Sequence, residues 1–144
     1  MHPIARLCLA ALLCTSALAA QTSPVKGAGC PGAAPLKSSG AARLGQALVI
    51  ESAACSRGAA GFFAIGIPSE PAIRLEGTPL CTPGRVCVLV VEPIHVAVDT
   101  NSFRFDVPNV PGLAGLGFRV QAGCFDRAAG CITLGAAVDV VIES

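Results

Sequence analysis

Residues 102–107 read Ser-Phe-Arg-Phe-Asp-Val, and this short stretch decides the fold class. Its apolar side chains, Phe103, Phe105 and Val107, alternate strictly with polar ones. Successive side chains of a β-strand point to opposite faces of the sheet, so strict alternation is typical of a strand with one buried face. The stretch therefore predicts a β-strand that turns its phenylalanines toward a core.

The same two-residue period recurs in residues 62–67, 73–76, 94–99, 118–121 and 138–143. Residues 86–91 are more uniformly apolar, which favours a central strand. Proline and glycine separate these stretches and predict turns at 68–71, 82–84, 92–93 and 108–112, with one helical turn near 111–115. Short strands at this spacing predict an all-β fold, an antiparallel β-sandwich of Ig-like or jelly-roll-like type with about seven to nine strands.

Two apolar residues fall on predicted outward faces, Ala97 beside His95 and Val141 beside Asp139. A partner or a second sheet would cover such positions. Scattered apolar groups are also common on ordinary surfaces. The sequence leaves both accounts open.

The first twenty residues predict an export signal, with Arg6 at its start, an apolar run to about Leu13 and cleavage after Ala19 or Ala20. The run is too short for a membrane span, which needs roughly 20 apolar residues. Leu13 precedes Cys14 where a lipoprotein signal has a small residue, which argues against a lipid anchor there. Residues 21–46 are rich in Gly, Ala and Pro and are expected to be disordered to about residue 27; residues 47–144 are expected to form the domain.

The charge of the mature region is balanced. The full chain has 10 Lys and Arg and 9 Asp and Glu; subtracting Arg6 leaves 9 of each sign after residue 20. No basic excess or patch is present to hold nucleic acid. We therefore expect no nucleic-acid partner and no integral membrane segment in the mature chain.

Six of the eight cysteines remain after the predicted signal: Cys30, Cys55, Cys81, Cys87, Cys124 and Cys131. An even number in an exported chain predicts disulfides, and their spacings are unlike those of zinc sites. Cys124 and Cys131 are expected to pair across a hairpin tip. Local spacing would also pair Cys81 with Cys87 across Pro83-Gly84 and leave Cys30 with Cys55.

Four motifs occur in a fixed order: Gly29-Cys30-Pro31-Gly32, Leu44-Gly45, residues 83–90 (Pro-Gly-Arg-Val-Cys-Val-Leu-Val), and residues 113–121 from Leu113 to Gln121. In this order they resemble a set of small secreted bacterial β-sandwich domains of unassigned function. The resemblance implies a β-sandwich and no catalytic residues. The chain departs from the pattern in its extra cysteines and in having no Trp or Tyr.

The resemblance also implies a different pairing, Cys30 with Cys87, which would leave Cys55 with Cys81. Local spacing and the resemblance therefore disagree on these four cysteines. Both pairings remain open at the level of sequence.

Catalytic chemistry finds little support in the sequence. His95 is the only mature histidine, and it is expected to be a surface strand residue. Carboxylates are present, but a sugar hydrolase usually offers Trp or Tyr platforms, which this chain lacks. Asp99-Thr100-Asn101 could contribute oxygen ligands to calcium, although a turn held by the side chains of Asp99 and Asn101 is the simpler expectation. We expect no enzyme activity, no cofactor and no resident metal.

The leading hypothesis is a secreted, cell-surface or periplasmic module with a structural or interaction role, binding an unidentified protein or envelope component. The alternative is a secreted inhibitor or accessory domain presenting disulfide-clamped loops. Arg85 and Arg127 would stand at the tips of those loops.

Overall fold

The computed structural model describes residues 22–77 and 79–144, so the predicted signal peptide and Cys14 lie outside the described residues. The described chain contains eight strands and one 3₁₀ turn: β1 Thr22–Pro24, β2 Lys37–Gly40, β3 Ala47–Glu51, β4 Ala59–Leu75, β5 Cys87–Val98, β6 Ser102–Asp106, the 3₁₀ turn Pro111–Leu113, β7 Gly117–Asp126 and β8 Cys131–Val141. All strand pairs are antiparallel. The predicted all-β class is confirmed.

Two sheets form the sandwich. Sheet A has the strand order β1-β8-β7-β4-β5, and sheet B has the order β2-β3-β6. Leu48 and Ile50 of sheet B pack against Phe63, Val120 and Val140 of sheet A in the main core. This sandwich is the predicted architecture, and its strand number lies within the predicted range.

The stretch that decided the fold class behaves as predicted. Its phenylalanines turn inward, where the Phe105 ring meets Phe118 edge-on at 5.1 Å and Phe103 lies 6.2 Å from Phe63, measured between ring centroids. Val107 is buried, whereas the intervening polar side chains are exposed. Alternation therefore identified both the strand and its buried face.

Two predicted turns are not turns. Strand β4 continues through residues 68–71, and β5 continues through residues 92–93. Their pairing register shifts between Ile65 and Gly66 and again between Pro68 and Ile73. Such bulges leave residues unpaired, so they accommodate prolines that cannot donate a ladder hydrogen bond.

The predicted boundary at residue 47 is also wrong. Strand β1 pairs with β8, and β2 pairs with β3, so the segment before residue 47 supplies strands to both sheets. The predicted disorder up to residue 27 is contradicted by the same pairing of β1. These strands are short and polar, and β2 is exposed throughout, so they carry no apolar period for the sequence to reveal.

A third layer covers part of the outer face of sheet A. Residues 67–77 and 79–92, which include the far halves of β4 and β5, bend back over β7 and β8; we call them the hairpin arm. The backbone of Val88 pairs with Gly29 in both directions, at 2.8 and 2.9 Å, and Leu80 bridges to Ile132. The arm encloses a second core that includes Leu80, Cys87 and Leu134.

Gln121 joins the arm to sheet A. Its side chain is 1% exposed. Its Oε1 accepts a hydrogen bond from the Val90 amide at 2.9 Å, while its Nε2 donates to the carbonyl oxygens of Val88 and Gly135 at 2.9 and 3.2 Å. Gln121 alternates with the core residue Val120 along β7, so it lies on the other face of sheet A, and that face is covered by the arm.

Arg119 makes a second connection of the same kind. Its guanidinium donates to both carboxylate oxygens of Asp139, at 2.7 and 3.0 Å, and to the Val90 carbonyl at 3.1 Å. The hydrogen bond that Arg119 donates to Asp139 raises the pKa of Arg119 above its ordinary value, against the opposing effect of burial. Arg119 therefore stays charged while it holds the arm.

Three disulfides fix these layers: Cys30–Cys87, Cys55–Cys124 and Cys81–Cys131. The bridge Cys30–Cys87 ties the arm to the N-terminal segment. The bridge Cys81–Cys131 ties the arm to the start of β8. The third joins the loop after β3 to β7, and so links the two sheets. Bridges of this number fit an oxidising compartment.

The predicted Cys124–Cys131 bridge is therefore wrong. In the β7–β8 register Thr133 lies opposite Cys124, and Asp126 lies opposite Cys131. The two cysteines are thus diagonal neighbours rather than facing ones, which places their Cα atoms roughly 7–8 Å apart, beyond ordinary disulfide reach. Of the other pairings, Cys30–Cys87 is present as the resemblance implied, whereas Cys55–Cys81, Cys30–Cys55 and Cys81–Cys87 are wrong.

Peptide mapping provides a direct check of the bridges. Cleavage after Lys and Arg places the six cysteines in six different peptides. We expect non-reduced digests to contain 27–37 joined to 86–104, 44–57 joined to 120–127, and 75–85 joined to 128–144. A linked pair of 120–127 with 128–144 would instead restore the hairpin-tip bridge and contradict this fold.

Candidate interaction surface

The most unusual surface of the described chain is the second half of β5. Ile94, Val96 and Val98 point away from the sandwich and are 80%, 46% and 65% exposed. We call these three residues the β5 strip. Ala97, on the opposite face, packs against the main core.

The sequence found this alternation but placed Ala97 outward, and the structure reverses the face. A period of two separates the faces of a strand without saying which face the core covers. The pairing of β4 with β5 shows which face is buried, because Phe63 lies opposite Ala97 and is fully buried. The exposed strip is therefore a feature that sequence reasoning missed. The signal that could have found it is the alternation of three large apolar residues with His95 and the small Ala97.

An apolar groove adjoins the strip on the outer face of sheet A, beside the hairpin arm. Its walls combine Val96 and Val98 with Phe125 and Ile132, and Phe62 forms its floor. The Phe62 ring lies across Gly123, where an added Cβ would overlap the ring carbons. Gly123 thus lets an aromatic ring form the floor of the groove.

An ion pair closes one end of the groove. The Arg127 guanidinium donates to the Asp99 carboxylate, and both side chains are largely exposed. Asp99 has a φ of 58°, a left-handed conformation that aspartate tolerates better than most residues. The pair links the β5–β6 loop to the tip of the β7–β8 hairpin.

The turn near Asp99 is held differently from the sequence expectation. Thr100, rather than Asp99 or Asn101, bonds the local backbone: its hydroxyl donates to the Ser102 carbonyl at 2.6 Å and accepts from the Ser102 amide at 3.1 Å. The Asp99 carboxylate faces Arg127. Within residues 22–77 and 79–144, no three His, Cys, Asp or Glu side chains are grouped closely enough to hold a metal ion.

The edge of sheet A is open along the strip. Strand β5 is the last strand of its sheet. In its first half, Gly29, Gln121 and Arg119 bond the Val88 and Val90 backbone on the side away from β4. Among the described residues, no strand pairs with the outer edge of residues 93–98.

The other edges carry features that discourage pairing with another chain. Strand β6 carries the exposed Arg104–Asp106 ion pair. Strand β2 has four exposed residues beginning with Lys37, and β1 is three residues long and ends at Pro24. Natural sheets protect their edges with such charges, prolines and short strands. Residues 93–98 have a proline at one end and a register shift at Ile94, but no Lys, Arg, Asp or Glu.

The other residues singled out from sequence do not converge on one site. His95 is exposed on β5, as predicted. Arg85 is exposed on a turn in which its amide donates to the Thr82 carbonyl at 3.2 Å, and Arg127 is held by Asp99. Arg85 and Arg127 therefore stand apart, on the arm loop and at the groove.

No protein-family model, curated protein or solved structure matches this chain. Among the described residues, none of the helical segments has the length and apolarity of a membrane span.

Proposed function

We propose that this chain is a secreted, non-enzymatic interaction module of the cell surface or extracellular matrix, and that the β5 strip with its groove is its contact surface. The exposed, uncharged apolar edge of β5 carries this proposal. A contiguous apolar patch on a soluble domain usually marks a contact site. The three disulfides fit an exported protein.

The strip offers two kinds of contact at once. Its open edge presents backbone N–H and C=O groups to an added strand, and its alternate side chains offer apolar surface for selectivity. The groove beside it contributes Phe62 and Phe125, and aromatic rings are common anchors in protein interfaces. An extended partner segment with apolar residues at every second position fits this chemistry.

A charge placed on the strip should abolish the contact. We expect the oxidised protein, immobilised as bait, to retain proteins of the native envelope. V96K should retain about tenfold less of them, because burying the lysine charge against an apolar partner costs free energy. Val110 is the matched control, since it is 51% exposed and lies in a loop away from the groove. V110K should retain what the unmutated protein retains. Equal retention by V96K would contradict the proposal.

The second candidate is a protease inhibitor that presents Arg85. One observation favours it: Cys81 and Cys87, on either side of that loop, are both bridged to other parts of the chain. The same bait experiment separates the candidates. Loss of a retained protease with R85A, but not with V96K, would favour the inhibitor.

A further inference from the structure

We propose that the Cys81–Cys131 bridge is a redox latch on the apolar groove: its reduction by a dithiol frees residues 79–86 of the arm and lengthens the groove. We call residues 79–86 the latch loop. The inference rests on the proposed function, because it names how the same contact surface is regulated. Binding at the groove then depends on the thiol–disulfide state of the surroundings.

The bridges of the arm are unequally accessible to a thiol. Cys30 and Cys87 are 6% and 0% exposed, so the bridge between them is shielded from solvent. Cys81 and Cys131 are both partly exposed. A disulfide opens by direct attack of a thiolate on one of its sulfur atoms, so access to the sulfur decides which bridge opens first. The Cys81–Cys131 bridge therefore opens before the Cys30–Cys87 bridge.

Apart from its bridge, the latch loop makes few contacts that hold it closed. Among residues 79–86, all of them within the described chain, only Leu80 is buried. Ile132 of β8 exchanges two backbone hydrogen bonds with the loop, at 2.9 and 2.6 Å. The Thr82 hydroxyl lies 3.5 Å from the Cys87 sulfur, which is a weak acceptor. Keeping a segment ordered costs conformational entropy at every residue, so without the covalent link that entropy favours the open loop.

The base of the arm stays in place when the latch opens. The Cys30–Cys87 bridge remains closed, and Gly29 still pairs with Val88 through two backbone hydrogen bonds. Gln121 of β7 holds the same part of β5. The movement is therefore confined to the latch loop, which turns about its end at Cys87.

The latch loop covers apolar surface that continues the groove. Leu80 packs in the second core together with Leu134. Phe62 and Ile132 pack against that core, and both also line the groove. Withdrawal of Leu80 therefore joins the groove to the space beside Leu134. The groove gains length on the side of its aromatic floor.

The chemistry of the latch is a two-electron exchange. One thiolate of the dithiol attacks a sulfur of the bridge and forms a mixed disulfide, while the other cysteine leaves as a thiolate and takes up a proton. The second thiol of the reductant then displaces the first cysteine and closes its own disulfide. The protein is left with the Cys81 and Cys131 thiols, and the dithiol is oxidised. The reverse exchange with an oxidised dithiol closes the latch.

Graded reduction of the native protein tests the order of opening. We expect dithiothreitol followed by alkylation to label Cys81 and Cys131 while the Cys30–Cys87 bridge remains closed. After cleavage at Lys and Arg, peptides 75–85 and 128–144 report the latch, and peptides 27–37 and 86–104 report the buried bridge. Labelling of all four cysteines at the same dithiol concentration would overturn the inference, because the arm would then have no fixed base.

An uncharged apolar dye measures the groove. Nile red should bind the double variant C81A/C131A about tenfold more tightly than the unmutated protein, because the opened groove offers it additional apolar surface. An unchanged affinity would overturn the inference.

The matched control is C55A/C124A, which also removes a partly exposed bridge. Cys124 alternates with the groove residue Phe125 along β7, so this bridge lies on the other face of sheet A. C55A/C124A should bind the dye like the unmutated protein. Equal gains in the two double variants would overturn the inference, because they would reflect a general loosening of the fold.

Val96 provides a test of where the dye binds, since it lines the groove. V96K added to C81A/C131A should abolish the gain in affinity, whereas V110K should leave it. A gain that persists with V96K would overturn the inference, because the dye would then be bound elsewhere. If C81A/C131A fails to fold, the dye is titrated against the native protein during graded reduction. Its affinity must then rise as Cys81 and Cys131 become labelled, and a constant affinity would overturn the inference.

Failure of the latch and failure of the proposed function give different results. The bait experiment uses the oxidised protein, in which the latch is closed, so its dependence on Val96 survives if reduction has no effect on the groove. Equal retention by V96K in that experiment contradicts the proposed function, whatever the order in which the bridges are reduced.

Discussion

Replacement of Gln121 by methionine is expected to lower the free energy of unfolding by about 3 kcal/mol, although methionine has nearly the same length and is apolar. The substitution removes three hydrogen bonds to backbone groups at the junction of the arm and sheet A. The Val88 oxygen keeps its bond from the Gly29 amide. The Val90 amide is left buried without its acceptor, and a buried donor of that kind costs about 1–3 kcal/mol by itself.

The control is the same substitution at an exposed glutamine, Q46M. Surface substitutions usually change stability by less than about 0.5 kcal/mol, so Q46M should unfold at the same denaturant concentration as the unmutated protein. Hydrogen exchange at the Val90 amide adds a local readout, which should accelerate in Q121M. Equal midpoints for Q121M and Q46M would show that the hydrogen bonds of Gln121 are not needed to hold the arm.

The same glutamine shows how far the sequence predicts this fold. Alternation at residues 118–121 correctly separated Val120 from Gln121, because the period of a strand is a local property. It could not indicate that a distant hairpin covers the second face, since that depends on a bend near Gly66 and on pairing between Val88 and Gly29. Sequence therefore predicts the strands and the main core of the sandwich, but not its third layer.

The cysteines and the candidate surface likewise show that the sequence predicts local features but not long-range contacts. The spacing of Cys124 and Cys131 suggested a local bridge, yet the turn at residues 127–130 places Asp126 opposite Cys131, so the two cysteines do not face each other. The exposure of Val96 likewise depends on which strand β5 pairs with and which side the core occupies. The sequence shows that residues 93–98 carry no Lys, Arg, Asp or Glu. That these residues lie on an open edge is known only from the strand order of the sheet.

Replacement of Gly66 by alanine is expected to be at least as damaging as Q121M, at about 3 kcal/mol. Gly66 lies where the hairpin arm leaves the plane of sheet A, next to the register shift. A Cβ at this position would overlap the Glu92 carbonyl oxygen and stand 2.9 Å from the Ile94 amide nitrogen. Both are backbone atoms, so no side-chain rotation relieves the contact, and β5 must move away from β4.

G112A is the control, because an added Cβ at Gly112 meets no atom within 4 Å and the residue has no positive φ. Its stability should stay within about 0.5 kcal/mol of the unmutated protein in chemical denaturation. The displacement caused by G66A falls between Glu92 and Ile94, where the arm gives way to the β5 strip. The variant should therefore retain less of the proteins that V96K loses in the bait experiment, measured under conditions where it remains folded. A folded G66A that retains the same proteins as the unmutated domain would mean that the contact surface does not depend on the bend. A G66A as stable as G112A would contradict the close approach of β4 and β5.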